Sequence, residues 1–279
     1  MKGLIVNADD FGAAFEVNEA VERAHCHGVL SAASLMVGAP FVTDAVARAR
    51  RLPKLRVGLH IVLVEGKPML PPAAIPDLVD HNGWFRTDMA VVGAEMFLRP
   101  AVRRQLAHEI AAQFEAFRLC GLRLDHVNTH KHFHLHPTIA GLILKIGKRY
   151  GMRAMRVPQE PRHVLVAAEP GQTPPPPAWV TAPWAKLVRN RIARAGLLIP
   201  DHVFGLAWSG AMTRTRLAGL IAHLPDGLSE IYLHPATRGG FLGAADGYAY
   251  AEELAALCDA EVARLAADPA IRRGGFVDF

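Results

Sequence analysis

Residues 2–12 read KGLIVNADDFG, an apolar run that ends in two adjacent carboxylates, Asp9 and Asp10, before a Phe-Gly turn. A short continuous apolar run bounded by turn residues is the pattern of a buried strand. Two neighbouring carboxylates repel each other, and at a strand-to-loop junction both can face one site, where they ask for a cation or a shared proton. The same arrangement recurs along the chain. VGLH places His60 late in an apolar strand, LDHVNT (124–129) leads into His130, RVP carries Arg156, and SEIYLH (229–234) finishes on His234. Chemistry placed at the C-terminal ends of at least five strands belongs to a (β/α) barrel, because an open doubly wound sheet concentrates it at one switch point.

Working outward from residues 2–12, strand and helix signals alternate. Apolar runs predict strands at 2–9, 32–37, 56–63, 124–129, 154–157, 203–208 and 229–234. Helical spacing appears at 16–27, at 43–51, from Val102 to Phe117, and at 137–150. Seven or so strands joined by helices imply parallel βαβ units. The expected fold is therefore an α/β, TIM-like barrel, closed or slightly incomplete. A barrel of ~250 residues would use nearly all of the 279 as one domain. Two stretches rich in Pro or Gly, about 64–100 and 158–200, read as excursions from it.

Composition sets bounds. No apolar run reaches the ~18 residues of a membrane-spanning helix, and residues 1–30 carry no secretory signal pattern. The three cysteines, Cys26, Cys120 and Cys258, are widely spaced and lack metal-binding spacing, so they read as reduced thiols. A cytoplasmic protein is the expectation. The formal charge of +5 is mild, and no nucleic-acid motif accompanies it.

The 14 histidines say more, since five of them fall in the eleven residues from His126 to His136, within DHVNTHKHFHLHP. In an extended segment, His130, His132, His134 and His136 would share one face. Such a cluster offers neutral imidazoles to a metal ion. A catalytic site needs about three protein ligands and an open position for water. Asp10, His60 and one histidine of the cluster would supply that set. Asp9 could then accept the proton of the attacking water, Arg156 could orient a carboxylate by paired hydrogen bonds, and His234 could protonate a leaving nitrogen. There is no G-x-S-x-G elbow and no phosphate loop.

Taken in order, NADDFG, GLH, THKHFH, RVP and LHP resemble the YdjC-like carbohydrate deacetylases over essentially the whole chain. EVNEAVERAH, SAASLMVGAP, VGLHIVLVEGKP and DHVNTHKHFHLHPT are similar to the hopanoid-biosynthesis-associated members in particular. The resemblance implies a (β/α) barrel, one divalent metal ion and removal of acetate from an N-acetylglucosamine unit. By motif position it implies Asp9 as base, Asp10, His60 and His130 as metal ligands, and His234 as acid. Asn128-Thr129 stands where the family has Asp-Ser, which leaves His132 and His134 as further candidate ligands. Asp-His-His ligation favours zinc, with magnesium, manganese, nickel or cobalt as alternatives.

The hopanoid resemblance implies a sugar carried on a membrane triterpenoid. Residues 179–199 fit that independently, since Trp184, Leu187, Val188, Ile192 and Ala195 fall on one side of a helix that contains Lys186, Arg189, Arg191 and Arg194 and no acid. A basic amphipathic helix of this kind can lie on an anionic membrane. Small soluble N-acetylated oligosaccharides are the alternative substrate. A non-catalytic histidine-rich metal-binding protein and a metal phosphoesterase are the readings from other classes. The presence of Asp9 speaks against the first and the lack of a phosphate-gripping loop against the second.

Overall fold

Strand β1, Lys2–Phe11, lies at the centre of the sheet and is buried along almost its whole length. In the computed structural model, which describes residues 1–172 and 182–279, it is joined by β2 (Ala32–Leu35), β3 (Arg56–Ile61), β4 (Leu124–Thr129), β5 (His202–Phe204), β6 (Gly227–Leu233) and β7 (Ile271–Arg273). Every strand pair is parallel, in the order β4-β3-β2-β1-β6-β5. β7 pairs with the first residues of β1, Lys2–Leu4, and β2 takes over beside Asn7 and Ala8. The seam between β4 and β5 is crossed by single bridges, Val127 to Met155, Ala154 to Leu198 and Gln159 to Val203. The result is an incomplete TIM-like barrel.

Alternation along each strand sorts side chains into two sets. On the outer side of β1, Leu4, Val6 and Ala8 belong to a large core that includes the helix Phe15–His27, whose Val17, Ala20, Val21 and Ala24 are buried at helical spacing. The inner side is layered, as the interior of a small barrel must be. Ile5, Ala32, Ala154 and Leu228 form a small apolar cluster closed by Phe276 from the C-terminal turn. One step further along the strands come Asn7, Ser34, His126, Arg156 and Glu230, all buried. The next step brings Asp9, His60, Asn128 and Tyr232.

Three expectations are corrected. Residues 154–157 do not form a strand, because Ala154 and Met155 make only isolated bridges in the seam. The seventh strand is instead Ile271–Arg273, where no strand was expected. The 64–100 excursion is not wholly irregular. It contains the helix Met89–Leu98 and anchors itself through buried Ile75, Leu78 and Phe85. A further helix, Arg162–Ala168, interrupts the second excursion. The proline run at 174–177 and Trp179 lie outside the described residues.

Candidate active site

Asp9 and Asp10 diverge because β1 is irregular there, its register with β2 shifting between Ala8 and Phe11. Asp9 stays on the inner face and is 3% exposed, while Asp10 takes a left-handed backbone conformation, φ 62°, and turns to the barrel mouth. A non-glycine residue in that region costs free energy and persists only where its surroundings fix it. His60 closes β3 beside them. Its Nε2 lies 3.3 Å from Asp10 Oδ1, and His130 Nδ1 lies 3.3 Å from the same oxygen. The donor atoms of Asp10, His60 and His130 all fall within 4.8 Å of one another. Among the described residues, Asp10 Oδ1 and His60 Nε2 find no hydrogen bond of acceptable geometry although both are buried. Unpaired buried polar atoms are costly, and two that converge with a third lone pair suit a small cation.

Arg156 organises the other carboxylate. It is completely buried and donates from Nη1 to Asp9 Oδ2 at 2.5 Å and from Nη2 to Asp9 Oδ1 at 3.0 Å. The same guanidinium donates from Nε and Nη2 to Glu230 Oε1 at 2.9 and 2.6 Å, and it lies over the Tyr232 ring. Burial alone would push the Asp9 carboxyl up. The Arg156 charge, helped by His60, overrides it and holds Asp9 well below the ordinary carboxylate range. Asp10 is likewise low, its burial outweighed by His130 and His60. Burial disfavours the charged form of His60, but Asp9 and Asp10 raise it above the ordinary imidazole value.

The histidine block does not behave as an extended segment. His130–Leu135 is a tight turn in which Lys131 and His132 both have φ 52°. Two consecutive left-handed residues reverse the chain, so the strand rule that alternate side chains share a face fails. His130 alone joins Asp10. His132 Nε2 sits 2.9 Å from the Tyr232 hydroxyl, and His134 turns back to Thr129 Oγ1 at 2.8 Å. His136 meets the Phe97 ring edge. Burial, with the nearby Arg156 charge, pushes the His134 imidazole down to about 3 and His132 well below the ordinary value, so both are neutral.

His234 follows β6 and lines a cavity of about 450 Å³ together with Asp9, Asp10, His130, Trp84 and Tyr250. Its backbone N–H donates to Glu253 Oε2 at 2.5 Å, its ring lies between Tyr232 and Tyr248, and its Nδ1 has no partner among the described residues. Glu230, Asn128, Ser34 and Glu253 were not singled out as site residues from the sequence. A signal existed for Glu230, since a charge inside an apolar strand is rarely tolerated unless paired. Glu253 sits on an unremarkable helix, Tyr250–Leu257, and carried none.

The basic helix spans Ala182–Arg194. Val188 and Ile192 are buried and the helix packs on Pro137–Gly147, while Trp184 and Leu187 are exposed. Arg189 has an acid after all, Asp201 at 3.7 Å, and donates to the Pro200 carbonyl at 2.8 Å. Among the described residues, none from this helix lines the cavity.

With this geometry in place, comparison with known proteins is informative. The family model described as YdjC-like protein matches residues 3–268. The chain belongs to the YdjC-like family. A carbohydrate deacetylase of Geobacillus stearothermophilus is 32% identical over 259 residues, covering 91% of this chain and 89% of the relative. A carbohydrate deacetylase of Brevibacillus brevis is 39% identical over 147 residues, 53% of this chain and 56% of the relative. The hydrolase class expected from the sequence agrees with both. In structure, a protein of Enterococcus faecalis with a suggested role in cellobiose-phosphate cleavage aligns with TM-score 0.77 at 23% identity over 99% of this chain and 98% of its own, which speaks for the fold.

Proposed function

We propose that this chain is a metal-dependent carbohydrate N-deacetylase that removes acetate from an N-acetylglucosamine unit. The observation that carries the reading is the convergence of Asp10 Oδ1 and His60 Nε2, buried and unpaired, with His130 Nδ1 at the mouth of the barrel. These three side chains would hold one divalent ion, with zinc suited to the oxygen-and-imidazole set. Such an ion, when bound, lowers the pKa of a coordinated water to about 7 and polarises a carbonyl oxygen.

The chain's own groups supply the rest. Among the described residues, Asp9 Oδ1 already accepts from Asn7, Asn128 and Arg156, whereas Oδ2 accepts from Arg156 alone. Oδ2 is therefore the atom left to take the proton of the attacking water. Arg156 keeps that carboxylate ionised and aimed. His234, across the cavity with its Nδ1 unpartnered, gives a proton to the departing amine. The site is tested with His60→Ala. The variant should lose the bound metal and, with it, deacetylation of an N-acetylglucosamine disaccharide. Metal retained at the wild-type ratio removes His60 from the ligand set.

The finer reading is a hopanoid glycolipid as substrate, met by a cytoplasmic enzyme at the membrane surface. It rests on the motif resemblance and on exposed apolar side chains. Leu242 is 92% exposed on the cavity rim, with Trp84 at 41%, and Trp184 and Leu187 project from the basic helix. A triple neutralisation of Arg189, Arg191 and Arg194 should weaken sedimentation with anionic vesicles and slow turnover of a lipid-linked substrate, leaving a soluble disaccharide nearly untouched. Equal losses on both substrates, or unchanged vesicle binding, favour the soluble-oligosaccharide reading. No described helix is long and apolar enough to cross a membrane.

A further inference from the structure

Beneath the mouth of the barrel lies a hydrogen-bonded chain whose direction can be worked out atom by atom. It starts at Asp125, whose carboxylate accepts from the backbone N–H groups of Phe276 and Val277. Asp125 Oδ2 is 2.8 Å from His126 Nδ1, so that nitrogen carries a proton, and in the neutral ring His126 Nε2 is then the acceptor. Ser34 Oγ, 2.9 Å from His126 Nε2, must then donate its hydroxyl proton there. Its oxygen is thereby free to accept, and it does so from the amides of Asn7 and Asn128, both at 2.9 Å. Asp125, His126 and Ser34 follow the order of a hydrolytic triad, but all are 2% exposed or less and the serine oxygen is occupied by two amides. The assembly positions groups and performs no attack.

What it positions is Asn128. Its Nδ2 donates to Ser34 and also to Asp9 Oδ1 at 3.0 Å. An amide turned the other way would set its oxygen against the Asp9 anion and lose both bonds, so the orientation has one solution. The oxygen of Asn128 therefore faces His60 Nδ1 at 2.7 Å. An amide oxygen can only accept, so His60 carries a proton on Nδ1. Neutral His60 then has its lone pair on Nε2, the atom 3.3 Å from Asp10 and otherwise unpaired.

We propose that Asn128 is a positioning residue that selects the Nδ1–H tautomer of His60 and so makes Nε2 the metal-binding atom, with the Asp125–His126–Ser34 chain and Asp9 fixing which way its amide points. The inference rests on the divalent-metal reading of the site. Partners of this kind on the far nitrogen of a ligating histidine fix both tautomer and ring orientation, and losing one typically costs ~10–100-fold in metal affinity. A single side chain thus ties the proposed base, Asp9, to the proposed ligand, His60, and its polarity is inherited from the far end of the barrel.

The test uses Zn²⁺ alone, with affinity measured by chelator competition and with the His60 Nδ1 proton followed by nitrogen-edited NMR of the zinc-loaded protein. Wild type should bind one zinc ion and show a hydrogen-bonded Nδ1 proton. Asn128→Leu, which can neither accept nor donate, should weaken zinc binding by ~10–100-fold and lose that proton signal to exchange. Asn128→Asp keeps an acceptor for His60 while giving up the donor to Asp9, so it should retain both the signal and affinity within about tenfold of wild type. It is also the informative variant if Asn128→Leu does not fold. Zinc affinity and proton signal unchanged in Asn128→Leu, or an affinity in Asn128→Asp as poor as that of Asn128→Leu, would overturn the inference. Wild type that binds no zinc would instead overturn the zinc reading of the site beneath it.

Discussion

His134 is completely buried, and burial together with the Arg156 charge pushes its imidazole down to about 3. In the unfolded chain a histidine titrates near 6.5. The folded value lies below the unfolded one, so as pH falls the unfolded chain takes up the proton first and stability is lost from about pH 6.5 down to about pH 3. Between about pH 7.5 and about pH 5 this residue alone should cost ~2 kcal/mol. That figure hardly depends on the folded value as long as it stays below about 4, because at the lower pH nearly all the difference comes from the unfolded chain. His132 pulls the same way, whereas the raised His60 gains stability as it protonates, so the wild-type slope is a sum of opposing parts. A comparison isolates the one residue. Urea denaturation of metal-free wild type and His134→Asn at both pH values gives two losses to subtract. Asparagine can still bond Thr129 and cannot ionise. The variant should lose ~2 kcal/mol less than wild type on acidification. Equal losses would mean that His134 protonates in the folded protein, and the buried, neutral side chain described above would be wrong.

Asp9→Asn should keep the metal and lower turnover by ~10²–10⁴-fold, since the amide cannot accept a proton; near-normal turnover in the metal-replete variant would move the base role to another residue. His234→Ala should slow hydrolysis of an N-acetyl substrate more than that of an activated ester, whose leaving group needs no proton. Parallel losses on the two would argue against an acid. Arg156→Met leaves Asp9 and Glu230 buried without their common cation and should destabilise the protein by ~3–5 kcal/mol in urea. A loss below about 1 kcal/mol would be the behaviour of an exposed pair and would contradict the burial.

The sequence by itself determined the strand grammar. Apolar runs ending in Asp9-Asp10, His60, His130 and His234 are local patterns, and β1 to β4 appear within a few residues of where periodicity puts them. The candidate residues at these ends were legible for the same reason, since an ionisable residue late in an apolar run stands out without any knowledge of its neighbours. Tertiary structure alone decided which of them meet. His132, His134 and His136 look equivalent to His130 in the sequence, and the left-handed backbone at Lys131 and His132 separates them by turning the chain after His130. The seam of the barrel was likewise beyond local reading, because 154–157 has the composition of a strand but lacks two straight neighbours to pair with. Ile271–Arg273 becomes a strand only because the edge of β1 below β2 is open to it. The roles of Glu230 and Asn128 come from contacts across 74 and 68 positions of chain, to Arg156 and His60. Backbone propensity and hydrophobic period act over a few residues. Pairing of buried charges and the direction of an amide are settled by whatever the fold sets opposite them.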